Sequence, residues 1–94
     1  MARQATVDVA KGTWTQLTAA DVAAITFQNI GSSYVLISGT NGATAPGSTD
    51  GALRYNPGQG EMNTSVADMF PGVSGVNRIW AYCVGTSQVS VSHA

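Results

Sequence analysis

Two side chains have the chemistry of a base or a nucleophile, one of each kind: His93 and Cys83. A catalytic histidine needs a third group to hold its ring. His93 stands second from the C-terminal end, where chains fray, so it reads as an exposed tail residue or as a tie to a neighbouring subunit. Cys83 falls on the apolar side of an alternating segment, beside Ile79 and Ala81. A thiol there behaves as a small hydrophobe, and no nearby cation or helix start would make it a thiolate. One His and one Cys do not complete a zinc ligand set, and a single Cys excludes an intramolecular disulfide. The carboxylates Asp8, Asp21, Asp50, Glu61 and Asp68 are scattered over five segments. They have neither the pairing of an acid/base couple nor the alternation of a calcium loop. Gly58 and Gly60 lack the strand-to-helix context and the Lys of a phosphate loop. The expectation is a non-enzymatic protein with no catalytic residue, no cofactor and no metal.

What remains with chemical character is aromatic. Of Trp14, Tyr34, Tyr55, Trp80 and Tyr82, several fall on faces that are otherwise polar. Exposed Trp and Tyr serve as interface anchors or as stacking platforms for sugars. Trp14 reads as a cap on the end of a small core, while Tyr55, Trp80 and Tyr82 are the candidate contact residues. Ala5, Val7 and Val9 join them, because they form one side of an N-terminal alternating segment that can add as a strand to a neighbour's sheet edge.

The elements that must position these residues follow a period of two. Residues 5–9 alternate, with Ala5, Val7 and Val9 on one side and Thr6 and Asp8 on the other, the mark of a half-buried strand. Residues 13–17 give a second strand or an extended piece that anchors Trp14. Thr18 and Asp21 have the spacing of a capped helical turn. Residues 23–30 alternate most clearly, Gly31-Ser32-Ser33 is a turn signal, and 34–38 is a nearly continuous apolar strand; the short spacing predicts an antiparallel hairpin. Residues 39–51 carry no large apolar side chain and read as a long loop. A short strand at 52–55 ends at Asn56-Pro57-Gly58, with 59–61 continuing the connection. Residues 65–70 read as a short helix capped by Ser65 and stopped by Pro71. Residues 78–84 and 88–92 predict a last hairpin. The sum is an all-β protein: a compact antiparallel β-sandwich or small barrel of six or seven short strands with one or two helical turns.

Composition bounds the rest. The chain has 94 residues, one domain over 1–94, with an N-terminal strand or arm at 1–10 and the loop at 39–51. Charged residues make up 10%, against roughly 25% in ordinary soluble domains. One Lys and three Arg leave no patch to neutralise phosphates, which argues against nucleic acid as a partner. No apolar run approaches the ~18–20 residues of a membrane span, so no membrane is expected, and the first residues lack the apolar core of an export signal. A chain this short buries only ~60–65% of its unfolded surface. Without disulfides or metals, oligomerisation or docking on a larger partner is the remaining support, and a weakly charged surface suits either.

At the level of phrases, the chain resembles a group of very short virion proteins of tailed bacteriophages. The resemblance rests on Trp14-Thr15-Gln16-Leu17-Thr18, on Ile25-Thr26-Phe27-Gln28-Asn29-Ile30-Gly31 followed by an apolar strand, and on Arg54-Tyr55-Asn56-Pro57-Gly58-Gln59-Gly60. Arg78-Ile79-Trp80-Ala81-Tyr82 and the closing Val89-Ser90-Val91-Ser92-His93-Ala94 complete it. It covers most of the chain from Trp14 onward. It implies a β-sandwich module on a particle surface, assembled in a host bacterial cytoplasm and located in the virion. The implied role is capsid decoration, with the major capsid protein and copies of itself as partners. The alternative is a tail or fibre module that binds host glycans through Trp80, Tyr82 and Tyr55, or that joins another tail or connector subunit. The resemblance carries over no catalytic or ligand residues.

Overall fold

The computed structural model describes residues 2–94; Met1, the first residue of the expected N-terminal arm, lies outside the described residues. The strands in chain order are β1 (Arg3–Val9), β2 (Thr15–Gln16), β3 (Ala24–Asn29), β4 (Val35–Thr40), β5 (Leu53–Tyr55), β6 (Gly60–Ser65), β7 (Arg78–Tyr82) and β8 (Ser87–His93), with a single-turn helix α1 (Val66–Met69) between β6 and β7. The first sheet has the order β1-β8-β3-β6 and the second β2-β7-β4-β5. All pairings within the two sheets are antiparallel. The protein is an all-β sandwich, as the period-two pattern requires.

Alternation decides the layers. Ile25 and Phe27 of β3 and Val89 and Val91 of β8 point from the first sheet into the core. Val35 and Ile37 of β4 and Ile79 and Ala81 of β7 meet them from the second. Leu17, Val66 and Cys83 fill the ends, fully buried. Each such aliphatic or aromatic side chain contributes roughly 1.5–3 kcal/mol by leaving water. The helix is capped as the sequence predicts: Ser65 Oγ accepts the Asp68 N–H at 3.4 Å.

Four expectations need correction. Among the described residues the strands number eight, because residues 60–65, of which 60 and 61 read as a connection and 65 as a helix start, pair with β3 as β6. The pairing is broken by a bulge at Met62 and Asn63, and Asn63 takes a positive φ of 46°; that irregularity hid the strand. The Thr18–Asp21 spacing forms no helical turn, because Thr18 is spent elsewhere, its hydroxyl accepting the Ile79 N–H at 3.4 Å. The long loop begins two residues later than expected, since Gly39 and Thr40 complete β4. Finally, neither expected hairpin exists. β3 and β4 lie in different sheets, and so do β7 and β8. β3 pairs instead with β8, and β4 with β7.

The last correction has a specific cause. Asn29, at the end of β3, is fully buried. Its Nδ2 donates to Ser33 O at 2.8 Å and to Tyr55 O at 3.1 Å. Its Oδ1 accepts the Gly31 N–H at 3.1 Å and faces Ser87 Oγ at 2.9 Å. One amide thus folds the 29–33 corner and fastens it to the start of β8, which is the other corner. Gly31 permits the approach: a Cβ there would sit 2.0 Å from Ser87 Oγ. Replacing Asn29 with Leu keeps the volume but orphans several buried polar groups, each costing about 1–3 kcal/mol. Asn29→Leu is therefore expected to lose about 3 kcal/mol or more of unfolding free energy. Urea titration measures it; a loss below about 1 kcal/mol would show that the corners hold without the amide.

Candidate interaction surface

The six residues singled out in the sequence fall in three places. Tyr55 is inside: its ring meets Phe27 edge-on at 4.9 Å, and its hydroxyl donates to Glu61 Oε2 at 3.1 Å. Trp80 is also covered, with 7% of its surface exposed, and its indole N–H donates to Thr40 Oγ1 at 2.7 Å. Both are corrections to the reading of these rings as exposed contacts. A Tyr or Trp can look amphipathic in sequence simply because its polar tip needs a partner within the fold.

Tyr82 does face outward. It stands opposite Leu36 on the outer side of the second sheet, half-buried against Trp14, with ring centroids 5.3 Å apart. Arg54 stands opposite Leu36 from the other side and lays its guanidinium 3.9 Å over the Tyr34 ring. A strip of Trp14, which immediately precedes β2, Tyr82, Leu36 and Arg54 therefore crosses this face. The sequence reading missed Trp14 and Leu36 as members. The period-two phase was legible, but the register that aligns them across strands was not.

Ala5, Val7 and Val9 lie in β1, at the edge of the first sheet. Only Val9 is buried; Val7 is half-buried and Ala5 exposed. The outer side of this sheet carries Gln4, Thr6 and Asp8 of β1, then Gln88, Ser90 and Ser92 of β8, then Thr26 and Gln28 of β3. Asp8 is the one charge among them, and Gln88 Nε2 donates to its Oδ1 at 2.9 Å. This face is polar and almost neutral, so water can be removed from it at low electrostatic cost. Beside it, at the corner of the sandwich, Asp8, Ala10, Ile30 and Thr86 line an open groove, where Ile30 is 47% exposed.

Of the reactive side chains, Cys83 is buried as expected, its Sγ donating to Tyr34 O at 3.3 Å. His93 is not a frayed tail residue, and its placement is a correction. It ends β8, the strand between β1 and β3, is buried, and its Nε2 accepts the Ala19 N–H at 3.0 Å. The ring proton therefore resides on Nδ1, 3.0 Å from Ala94 O. Among the described residues no cluster of three or more His, Cys, Asp or Glu is placed to hold a metal ion, and no helix is long and apolar enough to cross a membrane. Comparison of the chain with family models, curated proteins and solved structures finds no match.

Burial pushes the Tyr55 phenol up from its ordinary 10.0 to about 12, helped by the charge of Glu61 and the hydrogen bond to it. Between those values the folded chain keeps a proton that the unfolded chain releases, so stability is intact below about pH 10 and falls as pH rises toward 12. Tyr55→Phe should flatten this alkaline loss. Unfolding midpoints as a function of pH, with the tyrosinate absorbance that Tyr55→Phe removes appearing late in the titration, check it; an unchanged alkaline slope in the variant would assign the loss to another group.

Proposed function

We propose that the chain is a non-enzymatic structural protein of a bacteriophage particle, a capsid decoration (cement) protein. It binds the outer surface of the head and bridges neighbouring capsomers. Its partners are the major capsid protein and other copies of itself, and it is assembled into the virion in the host bacterial cytoplasm. The reading is supported by the phrases quoted above and by one structural observation: a seven-residue edge strand, β1, beside a nearly uncharged sheet face. An edge strand offers a row of unpaired N–H and C=O groups, and a neighbour's strand that joins it satisfies them. The neutral face beside it can then be covered without stranding charges. Each contact is modest, and repetition over a symmetric shell multiplies it.

The glycan-binding alternative drew on Tyr55, Trp80 and Tyr82. Burial of the first two removes two of its three rings, which favours the shell reading. The test is made on particles. In purified virions the copy number of the chain should scale with the number of capsomers, and particles lacking it should rupture at a lower temperature. A copy number of tail order, or an unchanged rupture temperature, would overturn the proposal.

A further inference from the structure

We infer that β1 pairs with β1 of a second copy, antiparallel across a two-fold axis at Thr6, joining two first sheets into one continuous sheet. The inference rests on the reading of β1 as the contact element, whatever particle carries the chain.

Among the described residues the sandwich has four edge strands: β1, β6, β2 and β5. Three of them are closed to further pairing. β2 has two residues and β5 three. β6 is broken by the bulge, where Asn63 at φ 46° turns its N–H onto Thr26 Oγ1 at 2.8 Å. Short strands and bulges are the usual means of blunting an edge. β1 has none of them. It runs seven residues without Pro or Gly and keeps unbroken register with β8 from Arg3–His93 to Val9–Ser87. Its inward charge, Arg3, does not guard the edge either, because the guanidinium crosses the end of the sandwich to donate to Leu17 O at 2.8 Å. The edge is left open over its full length.

The sequence of β1 makes a second copy the fitting occupant. Antiparallel pairing about a two-fold axis sets residues of the same sheet face opposite each other. The register centred on Thr6 uses all of Arg3–Val9. It sets Gln4 across from Asp8 on the outer face, and Ala5 across from Val7 on the inner one. Arg3 meets Val9, and Thr6 meets itself. Like charges never face each other. The carboxylate of each Asp8 faces an amide donor from the other copy, while its Oδ1 keeps the Gln88 bond. Self-complementarity of this kind is what an isologous contact needs.

Sedimentation equilibrium of the purified full chain tests the inference, with variants at two exposed positions. The wild-type chain should show a reversible dimer. Gln4→Glu sets like charges opposite Asp8 twice per dimer and should weaken it roughly three- to tenfold. Gln4→Lys sets opposite charges there and should tighten it by a similar factor. Thr6→Cys should couple to its symmetry mate under mild oxidation, since facing residues at the axis come within disulfide reach. A monomer at every concentration overturns the inference. So does a dimer indifferent to the charge at position 4, or one in which Thr6→Cys does not couple, because its interface lies elsewhere. Strand addition to a different protein with no self-association overturns it as well. Copy number and rupture temperature are read on particles, so a chain that dimerises through β1 but is missing from virions sinks the decoration proposal alone.

Discussion

The sandwich depends on one buried amide. Asn29, at the end of β3, donates twice and accepts twice, and its partners belong to three segments: the 29–33 corner, β5 and the start of β8. An amide has about four hydrogen-bonding sites, and a buried one must fill them. Here filling them requires that two chain corners meet. Had β3 and β4 closed as a hairpin, the corner would not reach Ser87, and the amide would be left short of partners in an apolar interior. The polar network therefore selects the sandwich over a flat meander that the hydrophobic pattern alone would tolerate.

β8 is held at both ends by the same logic. Ser87 joins the Asn29 network at its start. At its finish His93 accepts the Ala19 N–H, while its neighbour across the ladder, Arg3, grips Leu17 O. The two terminal strands thus clasp the 17–19 segment that leads from the second sheet. The three arginines of this weakly charged chain each have a partner within it: Arg54 lies on the Tyr34 ring, Arg78 on Asp21 at 2.7 Å and Arg3 on a carbonyl. The Arg78–Asp21 pair is exposed and contributes little to stability. The consequence for function is an outer surface with little charge of its own and one long edge left unpaired.

Much of this is legible in the sequence. The period-two segments, the capped turn at Ser65 and the core side of Ile79, Ala81 and Cys83 all follow from spacing and side-chain chemistry. The site was less legible. Tyr55 and Trp80 read as surface aromatics because each carries a polar tip that needs a partner; only the fold supplies Glu61 and Thr40 as those partners. His93 looked frayed because position in sequence says nothing of position in a sheet, and its strand lies between two others. β6 was missed because a bulge with a left-handed Asn breaks the alternation by which a strand is recognised.

By itself the sequence determined the fold class and the low charge of the surface, because alternation and composition are local properties that each segment carries alone. Tertiary structure decided which strands share a sheet, since a short connection closes a hairpin and crosses between layers equally well, and the choice fell to a long-range contact between Asn29 and Ser87. It also decided which strand is left with a free edge, because an unpaired row of backbone groups is defined by the neighbours a strand lacks.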